Sequence, residues 1–217
     1  MTLTTQGDAP IHYTLDGWEP TAASPRYTGP VEIGKSAHFR ATALREGGEN
    51  ASYSREFAFS KSTGRPAVLN TKPNDSYTFE GASLLVDGYH SRPVFTSGAW
   101  LGYLDEPLDV TIDMGGEQSY RSVELETLAE KGDWIFPPSS VTVWVSDNGT
   151  DFTEVASVTV PEAKAGDADG IGRYRMQFPE TSARYLKVVA QNAAAIPAWH
   201  PGAGSKGFLF VDEIVVE

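Results

Sequence analysis

The sequence predicts an all-β protein, and three observations carry this prediction. Apolar and polar residues alternate with a period of two in segment after segment, whereas helical periodicity is nearly absent. The 217 residues include 21 glycines and 14 prolines, a proportion typical of a turn-rich chain. Asp-Gly and Asn-Gly pairs, which tolerate the positive φ of tight turns, separate many of the alternating segments.

The alternating segments follow one another along the whole chain. In chain order they include residues 13–15, 55–59, 109–114, 141–145 and 185–188. Val110, Ile112 and Met114 share one face of their predicted strand, as residues of a half-buried strand do. Turns are predicted at Asp16-Gly17, Asp87-Gly88, Gly115-Gly116 and Asn148-Gly149.

A polar break at residues 61–66 divides the chain. We predict a small module over 1–60, a linker over 61–66 and a larger module over 67–217. Residues 161–172 of the larger module lack apolar anchors, so we expect them to form a mobile loop.

The composition narrows the classes of partner. A net charge of −12 argues against nucleic acid and anionic membranes, which select basic surfaces. The chain has no cysteine, which excludes disulfides and thiolate metal sites. No run of about 18 apolar residues is present, so no membrane insertion is predicted. The chain begins almost inside a strand pattern, and we expect it to be a fragment of something longer.

The first module contains the run His12-Tyr-Thr-Leu-Asp-Gly-Trp-Glu-Pro-Thr21, then Ser24-Pro-Arg-Tyr-Thr-Gly-Pro30. This run resembles the small immunoglobulin-like domain that follows the catalytic barrel in bacterial β-hexosaminidases and chitobiases. That family has the motif Y-T-x-D-G-x-x-P-T. The resemblance implies a small Ig-like β-sandwich with a structural role.

The second module carries six pieces in a recognisable order: Leu84–Gly88, Ala99–Gly102, Val110–Gly115, Val141–Gly149, Ala183–Val188 and Leu209–Ile214. In this order they resemble the discoidin domain, or coagulation factor 5/8 type C domain, which is the fold of carbohydrate-binding module family 32. The resemblance implies a discoidin-like, galactose-binding-like jelly-roll β-sandwich. In it, Trp100 matches the family's buried tryptophan and is expected in the core.

The closer similarity is to the version that ends bacterial glycoside hydrolase family 20 enzymes. There, Trp134-Ile-Phe-Pro137 and Trp199-His-Pro-Gly-Ala-Gly204 have counterparts. The two modules in this order imply a parent β-N-acetylhexosaminidase, bacterial and extracytoplasmic, whose catalytic barrel is not part of this chain.

Asp212 and Glu213 superficially match the adjacent acidic pair with which family 20 enzymes orient the acetamide and protonate the leaving oxygen. The family's pair follows H-x-G-G, whereas this pair follows Leu-Phe-Val in an alternating strand. Adjacent strand residues point to opposite faces, so we expect the two carboxylates not to converge on one sugar. We therefore predict no catalytic residue in this chain.

Asp87 and Glu213 match the positions at which many discoidin relatives hold a structural Ca²⁺. Such an ion takes six to eight oxygen ligands and would neutralise two buried carboxylates. After Gly88 the chain departs from the calcium-binding pattern and reads Tyr-His-Ser-Arg-Pro. The alternatives are therefore a salt bridge, for which Arg92 is available, or carboxylates that are simply solvated.

The resemblance also implies a sugar site in the loops at one end of the sandwich. There, aromatic faces take the apolar side of a pyranose and polar groups take its hydroxyls. The candidate sugar contacts are Trp134, Phe136, Trp199, His200, Tyr89 and Arg92. Two alternatives remain: Trp134 could cap the core, and Pro201 could make the His200 loop a rigid one that packs on a neighbouring domain.

Together, the two resemblances imply a non-catalytic accessory region that targets a β-N-acetylhexosaminidase to glycans. Terminal galactose or N-acetylhexosamine is the expected ligand. The alternative is a pair of purely structural modules that pack on the catalytic barrel of the parent chain or mediate dimerisation.

Overall fold

A computed structural model describes residues 1–5, 7–45, 47 and 49–217. The chain separates into two compact units, Met1–Phe59 and Ser60–Glu217. Strands dominate both units, so the all-β prediction is confirmed. Among the residues described, no helix is long and apolar enough to cross a bilayer.

The first unit is built around a small antiparallel sheet. Its strands are β1 (Ile11–Thr14), β2 (Ala37–Ala43) and β3 (Ala51–Phe57). Strand β2 pairs with β1 on one side and with β3 on the other. Phe39 in β2 is fully buried, and its ring contacts those of Tyr13 and Tyr53. The core of this unit is therefore aromatic and lies against the central strand.

The second unit contains the remaining strands. They are β4 (Ala67–Leu69), β5 (Tyr89–His90), β6 (Leu101–Tyr103), β7 (Leu108–Ala129), β8 (Ser140–Ser146), β9 (Thr153–Thr159), β10 (Gly170–Gln191) and β11 (Leu209–Val216). Four short 3₁₀ helices connect them, at Asp75–Tyr77, Gly81–Val86, Phe95–Ser97 and Lys131–Asp133. The antiparallel strand order is β6-β11-β7-β10-β8-β9, and β4 pairs with β7.

Strands β7 and β10 give the second unit its two layers. The N-terminal half of each pairs with the C-terminal half of the other, and register shifts interrupt the ladder between the halves. Each of the two strands therefore contributes to both layers of the sandwich. Val110, Ile112 and Met114 lie in the main buried core between the layers. Trp100, which was predicted to be a core residue, is fully buried in a second, smaller hydrophobic cluster.

Residues 61–66, predicted as a linker, are part of the second unit. The Ser62 side chain is buried, and its hydroxyl donates a hydrogen bond to the Ile214 carbonyl over 2.5 Å. The backbone N–H of Lys61 donates to the Val216 carbonyl over 3.0 Å. A polar, Gly- and Pro-containing run can form a fixed turn when its polar groups find partners on a neighbouring strand, as they do here on β11.

Candidate functional site

Three long connections leave the second unit at the same end, which we call the loop end. Ala129, the last residue of β7, is opposite Gly170, the first of β10. Ser140, the first of β8, is opposite both Thr159 and Gln191. Because antiparallel partners begin and end together, the connecting loops are neighbours. The loops are residues 130–139, 160–169 and 192–208.

The loop end holds four aromatic side chains in mutual contact: Trp134, Phe136, Trp199 and His200, hereafter the aromatic cluster. The His200 ring stands edge-on to the other three, with centroid separations of 6.1 Å to Trp134, 5.5 Å to Phe136 and 5.6 Å to Trp199. Trp134 is 43% exposed and Trp199 is 40% exposed, while Phe136 and His200 are buried. Two indoles therefore face solvent, and the other two rings support them.

His200 uses both ring nitrogens within the protein. Its Nε2–H donates to the Lys131 carbonyl over 2.9 Å, and its Nδ1 accepts from the Gly202 backbone N–H over 3.1 Å. These partners fix the Nε2-protonated tautomer and leave no ring nitrogen for a ligand. The prediction that His200 contacts sugar directly is corrected: the residue is a support for the two indoles.

Phe136 is also corrected, from a predicted sugar contact to a core residue. Gly207 approaches its ring so closely that a side chain at position 207 would come within 2.8 Å of it. Trp134 has a left-handed backbone, with φ 64°, so the regular alternation of a strand does not hold here. In a strand, residues 134 and 136 would share a face, whereas in this loop Trp134 reaches solvent and Phe136 turns inward.

Trp134 is packed on one side and exposed on the other. Its backbone is left-handed, with φ 64°, and its N–H donates to the Lys131 carbonyl over 3.0 Å. Gly202 packs on its indole, where a side chain would collide at 2.8 Å. Part of the ring thus covers a neighbouring loop, and part stays open to solvent.

Trp199 and Lys131 tie down the loop that the sequence predicts to be mobile. The Trp199 indole N–H donates to the Ala163 carbonyl over 3.0 Å. The Lys131 ammonium pairs with the Asp169 carboxylate and donates to the Asp167 carbonyl over 2.9 Å. The hydrogen bond from Lys131 holds the pKa of Asp169 below its ordinary value. The loop lacks apolar anchors of its own and is held by partners from other loops, which its own sequence does not reveal.

An apolar groove of about 430 Å³ adjoins the aromatic cluster. Its walls come from residues 136–139, 160–163 and 193–198, and most of them are proline or alanine. Ser139 and Glu162 are the polar side chains of its lining. The groove offers shape and apolar surface but few hydrogen-bonding side chains.

Tyr89 and Arg92 lie in a different segment, beside the middle of β11. The Tyr89 backbone N–H donates to the Asp87 carboxylate over 2.8 Å, and the Arg92 carbonyl accepts from the Trp100 indole over 2.9 Å. The Arg92 side chain is exposed. The structure thus groups four of the six predicted sugar contacts and places these two next to the acidic residues of β11.

Asp212 and Glu213 lie in a β-bulge of β11, which sequence reasoning missed. Val211 pairs with Thr127 and Ile214 with Leu125, so two residues of β11 face the single residue Glu126. In a bulge the extra residue breaks the alternation of faces. Asp212 is 1% exposed and Glu213 is 0% exposed.

The expectation that these two carboxylates point apart is wrong, because both meet the segment that follows Asp87. Asp212 accepts hydrogen bonds from the Ser91 backbone N–H over 2.7 Å and from its hydroxyl over 3.0 Å. Glu213 accepts one from the Gly88 backbone N–H over 3.2 Å. We call Asp87, Glu126, Asp212 and Glu213 the acidic bulge.

Burial controls the protonation of the acidic bulge. It raises the pKa of Asp212 to about 8, with the Glu126 charge adding to the effect. Burial, followed by the charges of Asp87 and Asp212, raises the pKa of Glu213 to about 10. Glu126 differs: despite burial, hydrogen bonds with His90 (2.8 Å) and Arg173 (2.7 Å) lower its pKa. Buried from solvent, neither Asp212 nor Glu213 can reach a substrate in this structure.

A cation fits part of this arrangement. The Oε1 atom of Glu213 is buried without a hydrogen-bond partner, and the Asp87 carboxylate is close enough to raise the pKa of Glu213. An unpartnered buried carboxylate oxygen is costly unless a proton or a cation neutralises it. Across residues 1–5, 7–45, 47 and 49–217, no group of three or more His, Asp or Glu side chains is arranged around a metal position. Further ligands would have to be backbone or hydroxyl oxygens.

Comparison with protein families gives two matches that follow one another along the chain. Residues 1–55 match the chitobiase/beta-hexosaminidase C-terminal domain, and residues 70–206 match the F5/8 type C domain. A comparison with curated proteins found no match.

Several solved structures resemble the chain. A Clostridium perfringens protein in complex with GalNAc-β-1,3-galactose is 17% identical, with a TM-score of 0.47, over 70% of this chain and 93% of that one. Chitosan-binding module 1 of a Paenibacillus sp. IK-5 chitosanase/glucanase is 16% identical, with a TM-score of 0.46, over 73% and 98%. A Streptococcus pneumoniae fucose binding module is 21% identical, with a TM-score of 0.45, over 73% and 94%.

Proposed function

The chain belongs to the F5/8 type C domain family, and from this premise we propose that its second unit is a non-catalytic module that binds glycans at the loop end. The observation that carries the proposal is the pair of half-exposed indoles, Trp134 and Trp199, held by the buried His200. Indole faces take the C–H side of a pyranose.

The supports of the two indoles make the site rigid before a ligand arrives. Trp199 is tied through its indole N–H to Ala163, and Trp134 is packed against Gly202. A preorganised ring loses little conformational freedom on binding, so most of the stacking energy becomes affinity. With one or two rings and few polar side chains, we expect a dissociation constant of about 0.1–1 mM, or roughly −4 to −5.5 kcal/mol.

The ligand we propose is a terminal galactose or N-acetylhexosamine. The parent protein we propose is a bacterial family 20 β-N-acetylhexosaminidase outside the cytoplasm. Its catalytic barrel would be a second partner of these units. The order of the two matched domains along the chain supports this parent. Weak binding next to a catalytic barrel would raise the local concentration of substrate.

We further propose that Asp87 and Glu213 hold a structural Ca²⁺. The ion would neutralise the two carboxylates and occupy the unpartnered Oε1 of Glu213. In this role the cation would stabilise the fold of the second unit and would not contact the sugar.

Calorimetric titration with galactose, N-acetylgalactosamine and N-acetylglucosamine tests the sugar proposal. We expect saturable binding of at least one sugar and a loss of at least about tenfold, 1.4 kcal/mol, in Trp199→Ala. The matched control is Trp144→Ala, which removes an indole from the sheet rather than from the loop end. Equal affinities in Trp199→Ala and the wild type, or silence of the folded protein toward every sugar, would contradict the proposal.

One observation favours a second candidate function, docking on a protein surface. The apolar groove beside the aromatic cluster is lined mainly by proline and alanine, a composition that suits protein contact better than sugar hydroxyls. If the sugar panel is silent while the Trp199→Ala variant loses self-association in sedimentation, the loop end is an interface anchor instead.

A further inference from the structure

Trp18, in the first unit, is exposed to a degree that the fold does not explain. Its side chain is 77% exposed, the highest value among the large hydrophobic side chains that the structure describes. The core of this unit lies elsewhere, around Phe39 and Phe57. An indole in water contributes almost no burial energy to the fold. The ring therefore adds little to the stability of the unit that carries it.

The backbone of Trp18, by contrast, is held firmly in a turn. Its N–H donates to the Asp16 carboxylate over 3.2 Å, and its carbonyl accepts from the Thr14 hydroxyl over 2.6 Å. Gly17 has φ 82°, and a side chain there would meet the His38 ring at 2.8 Å. None of these contacts uses the indole, so the turn would form with other residues at position 18. The turn fixes the backbone at position 18, and the indole itself stays free to meet a ligand.

Polar groups stand beside the turn. Glu19 and Arg40 form an ion pair, and both side chains are partly exposed. The Thr42 hydroxyl donates to Glu19 over 3.1 Å, and Arg40 donates to the Gly17 carbonyl over 3.3 Å. A carboxylate and a guanidinium held in place are paired acceptors and donors of the kind that vicinal hydroxyls bind.

We propose that Trp18, together with Glu19 and Arg40, forms a second glycan-binding platform, in the first unit and separate from the loop end. The ligand class is a neutral hexopyranose, whose C–H face would stack on the indole while its hydroxyls reach the ion pair. A net charge of −12 disfavours anionic sugars. A protein partner suits the site less well, because a stable interface needs about 800 Å² per side around an apolar centre, and here one ring is bordered by charged side chains.

The test follows the five tryptophan indole N–H resonances of the full 217-residue chain by NMR, each assigned by substitution. Galactose, N-acetylglucosamine, N-acetylgalactosamine and the β-1,4-linked dimer of N-acetylglucosamine are the titrants. We expect the Trp18 resonance to shift saturably with at least one of them. In Trp18→Ala the affinity of this platform, followed through the backbone amide resonances of Glu19 and Arg40, should fall at least tenfold, while Leu15→Ala, at an exposed apolar residue of the same turn region, serves as the matched control.

The outcomes separate this platform from the loop-end site. A shift at Trp199 with none at Trp18 overturns the second platform and leaves the proposed function standing. A shift at Trp18 that persists in Trp199→Ala supports two independent sites. If the Trp18 resonance ignores every sugar but broadens as protein concentration rises, the ring is a contact for a second copy of the chain and the glycan platform is wrong.

Discussion

The aromatic cluster at the loop end and the acidic bulge of β11 both gather residues that are far apart in the sequence, yet they treat solvent in opposite ways. The aromatic cluster buries its polar support, His200, and shows two indoles to water. Three carboxylates of the acidic bulge, those of Glu126, Asp212 and Glu213, are buried, and the Oε1 atoms of Glu126 and Glu213 have no hydrogen-bond partner. The first arrangement is the one that we propose meets a ligand from outside. The second requires a proton or a cation as part of the fold itself.

The largest expected effect is on the free energy of unfolding, and it separates the buried supporting rings of the aromatic cluster from its exposed indoles. Phe136→Ala should destabilise the protein by about 3–5 kcal/mol, because it empties a buried ring position. Trp199→Ala should cost less than about 1 kcal/mol of stability, since its ring is half exposed. Urea denaturation measures both. Equal losses would mean that the cluster is simply core and would remove the distinction between support and platform.

The next effect concerns the acidic bulge. Ca²⁺ at about 100 times its dissociation constant should stabilise the protein by roughly 2.7 kcal/mol, and a chelator should reverse the gain. Glu213→Gln should abolish the response, whereas Asp113→Asn, which alters an exposed ion pair with Arg184, should keep it. Thermal unfolding with and without Ca²⁺ is the measurement. An unchanged melting temperature would show that protons alone neutralise the bulge.

A smaller effect is expected from the contacts of Lys131 with Asp167 and Asp169, which hold the 160–169 loop and which we call the tether. Lys131→Met should loosen the loop and weaken sugar binding by about two- to fivefold, or 0.4–1 kcal/mol, by freeing Trp199. Hydrogen exchange at residues 163–169 should rise, and Lys206→Met, which breaks an exposed pair with Asp105, should leave both readouts unchanged. If Lys131→Met changes neither the exchange nor the affinity, the tether does not support the site.

The same tether predicts a pH dependence with a definite sign. The pKa of Asp169 is lowered in the folded protein, so its pairing with Lys131 stabilises the loop above the ordinary aspartate pKa. That contribution is lost as the pH falls through the lowered value. Exchange at residues 163–169 should therefore rise toward acid in the wild type and change less in Lys131→Met.

The smallest effect is expected at Arg92. The sequence places this residue among the sugar contacts, whereas the structure places it away from the loop end. Arg92→Ala should leave sugar affinity unchanged within about twofold, because Arg92 lies beside the acidic bulge. The titration used for Trp199→Ala measures it. A tenfold loss would extend the site from the loop end to this segment.

Alternation and turn pairs were enough to predict the all-β fold and the buried face of Val110, Ile112 and Met114. The division into two modules was predicted from the polar break at residues 61–66. The Pro and Gly residues around Trp134 and Trp199 indicate irregular surface loops, which made these two residues candidates for ligand contact. These features are local, so a linear pattern carries them.

The parts that were missed depend on contacts between distant segments. The bulge at Asp212 and Glu213 is one extra residue relative to β7, and a single strand's sequence does not show its partner's register. The burial of His200 depends on the Lys131 carbonyl, 69 residues away. An acidic pair inside an otherwise apolar strand end was the available signal for an irregularity there.

The most direct test of the central claim is a crystal structure of the chain soaked with N-acetylgalactosamine. We expect a pyranose stacked on Trp199 or Trp134 at the loop end, with His200 still bonded to the Lys131 carbonyl and the acidic bulge closed to the sugar. A sugar bound at the Tyr89–Arg92 segment, with the loop end empty, would contradict it.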